Sequence, residues 1–340
     1  MSGSGSNRTL KSCPKKVLNG PCGGIRRDLR CEVSDLKCFF SENYPEKLIL
    51  DENFRKRLDV KPRRPFSRLL SISGKRVAWI AEVPPRIDVL KKWEDLRMLS
   101  IDALSIPDNP LGRLHIDPLA FAARLKERTD MEVVAHLACR DLNRLALKSR
   151  ILGLGLIGVE HVLALTGDYV KGRAVFDLDS MRLIYLARLL SDYGVDESGE
   201  SVGYRPRIHV GAGTNPHILS RIELSRIRRK LEAGAEFFIS QLVFSEEGLE
   251  EILSELRRSN IRVPIFAGFL LNDPEKVSRF ARSINLPIEE IPRTAEKLVE
   301  KYLEILRKLR RVYPLTGAYI STLGKVDYLK IWSEYLEGSF

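Results

Sequence analysis

No apolar run in this 340-residue chain approaches the roughly 20 residues needed to cross a bilayer. The first residues, MSGSGSNRTLKS, lack the apolar centre of a signal peptide and read as a disordered terminus. Both absences lead to the expectation of a cytoplasmic protein that does not engage a membrane. No G-x-G-x-x-G opens a helix after the first β-rich run, which argues against a Rossmann domain. No lysine stands at a clear strand end, which weakens a Schiff-base aldolase. No repeat at solenoid spacing is visible. Acidic residues are the minority, 45 against 56 basic, for a net charge of +11. The excess is spread along the chain, and its densest clusters, Arg226–Lys230 and Arg307–Arg311, carry apolar spacers. They read as solvated helix faces, so nucleic acid is not an expected partner.

What the chain does have is a cysteine cluster and a long alternating pattern. Four of its five cysteines, Cys13, Cys22, Cys31 and Cys38, fall in the first forty residues, among several Gly and Pro. In a chain read as cytoplasmic such a cluster points to a metal before disulfides. The spacing C-x8-C-x8-C-x6-C is not the paired C-x2-C of common zinc sites. Four thiolates suit tetrahedral Zn2+ or a [4Fe–4S] cluster about equally by ligand type, a structural zinc being preferred. The expected organisation is a cysteine-rich metal-binding module over residues 1–45, a linker over 46–75 and a large domain over 76–340.

From Arg76 onward, short β-rich runs alternate with longer amphipathic stretches. The runs are Val77–Ala81, Ala103–Ile106, Glu132–Leu137, His161–Leu165, Arg207–Val210, Phe237–Gln241, Val263–Ala267 and Ala318–Ser321. Helical patterns between them include Asp117–Arg128, Asp141–Leu154, Ser180–Tyr193, Ile218–Ala233, Ser245–Ser259, Pro274–Ser283 and Thr294–Val312. Strand–helix alternation implies parallel βαβ units, and eight units close a (β/α)8 TIM barrel. A doubly wound open sheet is the alternative.

A barrel of this kind carries its chemistry at the C-terminal ends of its strands. The residues expected there include Glu82, Ser105, His136, Thr166, Asp168, Gly211 and Gln241, in loops that also hold Gly and Pro. Several polar side chains at strand ends describe one polar-lined mouth. In the helix after the fifth strand, Glu223, Arg226 and Lys230 share a face and Arg229 flanks it, with Ile222, Ile227 and Leu231 as the core stripe. Such a face beside the mouth suits phosphates or a ribityl chain, although alone it would read as solvated.

Taken together, IPDNP from Ile106, HLACRD from His136, ALTGD ending at Asp168, VFDLDS from Val175, KLEAGA from Lys230 and ISQ ending at Gln241 resemble the methylenetetrahydrofolate reductase family. The N-terminal piece, from CPK at Cys13 through NGPCGG to Cys38, is similar to a small cysteine module that accompanies some bacterial and archaeal reductases of this type. The resemblance implies a flavin barrel, FAD or alternatively FMN, that reduces the methylene bridge of a folate or related pterin to a methyl group. It implies Glu82 as general acid, Asp168 as the electrostatic control and Gln241 as the pterin contact. Ser105, His136 and Thr166 would touch the flavin ring, and Glu223, Arg226, Arg229 and Lys230 its ribityl and phosphate portion. The loop from Gly211 to Asn215 would let backbone approach the cofactor. Phe269 is the aromatic available for stacking on the pterin. Glu82 stands one residue, not two, before its Pro-Pro pair, so its direction depends on how the loop absorbs the difference. NAD(P)H or reduced ferredoxin would donate electrons; a redox-protein partner and a homo-oligomer are expected. The alternative is a pterin-binding methyl-transfer or assembly subunit without flavin.

Overall fold

In the computed structural model, the described residues are 13–34, 36–54, 66–172, 174–284, 286 and 291–338. Residues 1–12 of the expected module and 55–65 of the expected linker lie outside them. Eight parallel strands close in sequence order into a barrel: β1 (Trp79–Glu82), β2 (Ala103–Ile106), β3 (Glu132–Ala138), β4 (His161–Leu165), β5 (His209–Thr214), β6 (Phe237–Leu242), β7 (Ile265–Leu270) and β8 (Thr316–Ser321). The open-sheet alternative is thereby excluded, since β1 pairs with β8 through Trp79–Ala318 and Ile80–Tyr319.

Strand side chains alternate between two cores. Ala78, Ile80, Ala103, Val134, Leu163, Phe237, Ile239, Phe266 and Tyr319 fill the barrel interior. Their neighbours Trp79, Ala81, Leu104, Val133, Ala135, Val162, Phe238, Ala267 and Ile320 face outward into a larger core beneath the helices. Burial on both faces makes the strands near-continuous apolar runs, and the period of two fixes which polar residues point inward.

The helices are α1 (Arg68–Ile72), α2 (Ile87–Lys91), α3 (Trp93–Arg97), α4 (Pro118–Lys126), α5 (Arg144–Leu156), α6 (Ser180–Arg188), α7 (Ser220–Ala233), α8 (Glu247–Arg258), α9 (Pro274–Ser283), α10 (Ala295–Val312) and α11 (Asp327–Glu337). Asp117, Asn143, Asp179 and Thr294 cap α4, α5, α6 and α10 by accepting from backbone N–H groups of the first turn. Helix α1 stops the bottom of the barrel. Its Leu69 enters the interior core, and Glu132, at the start of β3, accepts from Arg68 N at 2.8 Å and Leu69 N at 2.7 Å.

The N-terminal segment docks beside the opposite end. Ile25 packs on Ile218 and Ile222 at α7. The Asp179 carboxylate accepts from Leu18 N and Asn19 N at 2.9 and 3.1 Å, and Asp51 pairs with Arg144 and Arg182. Residues 46–54, expected as linker, thus belong to the docked segment.

Candidate active site

The C-terminal strand ends open into a cavity of about 2270 Å³. Glu82, His136, Thr166, Asp168, Gln241, Arg226 and Lys230 line it, as the sequence reading expected of a mouth, and so do Lys15, Gly23 and Ile25 of the N-terminal segment. The candidate site is therefore walled by two parts of the chain far apart in sequence.

Glu82 faces inward. Its strand neighbours alternate Ile80 in, Ala81 out, and the carboxylate lies against β8, where Tyr319 Oη donates at 2.7 Å and Ser321 Oγ at 2.6 Å. The shorter Pro-Pro spacing does not turn it away. Burial pushes its carboxyl above the ordinary range, while the Ser321 and Tyr319 hydrogen bonds, and more weakly His115, pull the other way. One strand further round, Ser105 Oγ and His136 Nε2 lie 2.9 Å apart. Burial lowers His136 to about 4, so its imidazole is neutral at physiological pH. Ser105 itself is fully buried behind His136 and does not reach the cavity wall.

Asp168 follows Thr166-Gly167 after β4. Gly167 adopts φ +89°, and a Cβ there would stand 2.8 Å from the Arg140 Cβ, so only glycine makes this turn without strain. Ser180 N donates to Thr166 Oγ1 at 3.2 Å and Leu111 N to Asp168 Oδ2 at 3.2 Å. Gln241 projects from β6 where the β6–β7 register shifts between Ile239 and Leu242, and its side chain is exposed to the cavity.

The polar face of α7 differs from expectation. Glu223, Arg226, Arg229 and Lys230 are all buried rather than open to a ligand. Glu223 accepts from Thr214 Oγ1 at 2.8 Å and Asn215 N at 3.1 Å and pairs with Arg226. Arg229 Nη1 donates to Gly20 O at 2.9 Å, beneath the N-terminal segment and away from the cavity wall. Lys230 donates to Gly213 O. Arg226 Nε and Arg229 Nη2 are buried without a hydrogen-bond partner. Burial and the neighbouring Arg226 lower Lys230 to about 7, Glu223 acting in the opposite sense. Only Arg226 and Lys230 of the four reach the cavity, where the donor set fits a single phosphate.

Two further expectations are corrected. Gly211 lies deep in β5, where a Cβ would meet the Phe237 ring at 2.3 Å; the close approach is to a core side chain, and Gly213 lines the mouth instead. Phe269 points outward, fully buried against Tyr302 and Trp332 at centroid distances of 4.8 and 5.9 Å, and cannot stack on a ligand in the mouth.

Among the described residues, no group of three or more His, Cys, Asp or Glu side chains closes on a point that would hold a metal ion. The four N-terminal thiols are still electrical neighbours. Burial raises Cys13, and raises Cys38 to about 11, with Cys22 and Cys31 pushing both in the same direction.

With this geometry in hand, comparison with known proteins is specific. The family model described as Methylenetetrahydrofolate reductase matches residues 98–305. The chain belongs to that family. A second model, described as Methylene-tetrahydrofolate reductase C terminal, matches residues 4–62, so the segment it names precedes the barrel here. The 5,10-methylenetetrahydrofolate reductase of Salmonella typhimurium is 27% identical over 165 residues, 48% of this chain and 52% of that protein. The Escherichia coli protein of the same name is 26% identical over the same shares. The chain spans about half the length of the curated relatives it matches. Among solved structures, the EDTA monooxygenase (EmoA) from Chelativorans sp. BNC1 aligns with TM-score 0.50 at 10% identity, covering 78% of this chain and 95% of that one, a likeness of fold alone.

For a methylenetetrahydrofolate reductase family barrel, three contributors to the mouth escaped the sequence reading. Tyr319 brackets Glu82 together with Ser321, which already stands at the expected end of the eighth strand, and the signal for Tyr319 is the inward period of β8 once its register is known. His115 lines the cavity near Glu82 and keeps its Nδ1 2.9 Å from Arg113 O. Lys15 enters from the cysteine segment, which no local pattern could place.

Proposed function

We propose that the mouth binds a flavin, FAD or FMN, beside a methylene-pterin of the methylenetetrahydrofolate kind and reduces the methylene bridge to a methyl group. The observation that carries this is Glu82: a buried carboxyl at the cavity wall, its affinity for a proton raised, held at both oxygens by hydroxyls. Opening a methylene-bridged ring needs a proton on the departing nitrogen, and a carboxylic acid whose proton affinity is raised is suited to supply it. Tyr319 and Ser321 hydroxyls then stabilise the carboxylate left behind. A bound reduced flavin would supply the hydride. Asp168, exposed in the cavity, offers a negative charge to a cationic iminium carbon, and Gln241 offers one acceptor and two donors to a pterin edge. Neutral His136 and Thr166 would border the flavin ring, and Arg226 with Lys230 would hold a phosphate; Arg229 would act beneath them.

The four cysteines are assigned Zn2+ or a [4Fe–4S] cluster on the chemistry of the donor set. NAD(P)H or reduced ferredoxin is the proposed electron source, the latter requiring a redox-protein partner. A visible spectrum of the pure chain, recorded with metal and iron analysis, is the first test. A flavin band that is bleached by reductant and restored by 5,10-methylenetetrahydrofolate is expected. A colourless chain that takes up neither FAD nor FMN would overturn the reading.

A further inference from the structure

We infer that Lys15, from the N-terminal cysteine segment, is a positioning residue of the barrel's active site: it fixes the Thr166–Gly167–Asp168 turn and thereby places the Asp168 carboxylate. The inference rests on the reading of the mouth given above.

Lys15 is only 5% exposed, although lysine is among the side chains least often buried. A buried ammonium must be satisfied, and this one is. Its Nζ donates to Gly167 O at 2.8 Å, across 152 residues of sequence, and pairs with Glu32 of its own segment. It stands over the Phe176 ring, 6.0 Å from its centroid. The ammonium is thus pinned from both sides and lines the cavity beside Asp168.

The bond acts on Asp168 through covalent geometry. Gly167 O shares one rigid peptide plane with Asp168 N and Cα, so whatever orients that carbonyl orients the base of the aspartate. Gly167 is the freest residue in the turn, and without a restraint its φ and ψ range widely. The other two fixings act on side-chain oxygens at 3.2 Å, and one of them comes from Leu111, in a loop where Asn109 and Leu111 both sit at positive φ. The Lys15 bond is the shortest of the three and the only one made to the peptide itself. It is also charge-assisted, the stronger kind. The barrel that the family model covers therefore has its key turn completed by a segment that a different family model describes.

The test uses the full chain with Lys15→Met, Lys15→Arg, Asp168→Asn and the Lys15→Met/Asp168→Asn double variant. In Lys15→Met, amide exchange at residues 166–168 is expected to quicken at least about tenfold, with exchange over 36–54 unchanged. Flavin reoxidation by 5,10-methylenetetrahydrofolate should lose about 10- to 100-fold in kcat, with KM little altered, as a small misplacement of a reacting group does. Lys15→Arg should recover most of both. In the Asp168→Asn background, Lys15→Met should cost nothing more, because its effect runs through that carboxylate. Multiplicative losses in the double variant, unchanged exchange at 166–168, or faster exchange spread over the whole N-terminal segment would each overturn the proposal. If the parent chain takes up no flavin, the functional reading fails, while the exchange measurement still decides whether Lys15 holds the turn.

Discussion

Two glutamates, Glu132 buried and Glu82 half-buried, stand at opposite ends of this barrel, and the sequence gives no hint that they behave oppositely. Glu132, at the N-terminal end of β3, meets two backbone N–H groups at the start of α1, with His161 Nε2 at 3.2 Å. Burial opposes its charge, but His161 and those N–H groups more than offset burial and hold it down to about 2. Glu82, at the C-terminal end of β1, meets only two hydroxyls, and there burial wins. Hydroxyls solvate a carboxylate without committing a positive charge or a helix terminus to it. A glutamate supported in that way keeps a proton to give; one supported as Glu132 is keeps its charge and holds the fold.

Replacing each in turn gives the largest effects expected. Glu82→Gln should lower the rate of methylene-pterin reduction by about 10²–10⁴, the usual worth of a positioned general acid, and leave thermal stability nearly unchanged. Glu132→Gln should do the reverse: single-turnover rates close to the parent, and unfolding by urea easier by roughly 1–3 kcal/mol, because the negative charge is lost and one of the two acceptor oxygens becomes an NH2 that opposes the N–H groups it faces. If both variants lose activity in proportion to stability, the contrast between the two ends collapses.

Acid unfolding separates the ends less sharply. Glu132 is depressed, so its contribution is fully present above the ordinary carboxyl value of about 4.3 and is lost as pH falls through about 2. His136 is depressed by burial, and its neutral form is the folded one, so stability falls as pH drops from the ordinary histidine value of about 6.5 to about 4. Glu82 is raised and works in the opposite sense, favouring folding while protonated and losing that contribution as pH rises through its folded value. Melting temperature against pH should therefore decline in two stages, and His136→Asn should shrink the upper one, to which His217, also lowered by burial, contributes. A single decline in both chains would show that His136 is not held neutral.

The smallest effect expected is the most diagnostic of the mouth. Tyr319→Phe removes one donor to the carboxylate, so Glu82 should hold its proton to higher pH. The alkaline limb of kcat/KM should move upward by about one unit or less, with only a several-fold change in the plateau rate. A limb that does not move would assign the limiting proton to another group.

Much of this was legible before any coordinates. Each of the eight strands overlaps its expected run, and helices α4 to α10 fall where periodicity puts them, because strands buried on both faces and helices with one apolar stripe leave strong local patterns. β5 was placed early, at Arg207–Val210 rather than His209–Thr214, since Gly-Ala-Gly-Thr has little β preference of its own and is held by its neighbours. The short α2 and α3, and α11, left no clean period. In the site, Glu82, His136, Thr166, Asp168 and Gln241 reach the mouth because strand-end position is a one-dimensional property. The misreadings were three-dimensional. Phe269 differs from Gly268 only in which way the strand turns it, and the α7 cations look open because nothing local shows that the segment containing Gly20 and Ile25 returns to cover them.

That return has a consequence for how such proteins are put together. Among the described residues, the contacts joining segment to barrel include ones from Lys15 to Asp51 that end on Gly167, Asp179, Asn215, Arg229, Arg144 and Arg182. Covalent attachment keeps the local concentration of the segment beside these barrel groups high. The mouth is in this sense assembled by the meeting of two matched surfaces within one chain, and its integrity depends on that match as well as on the barrel.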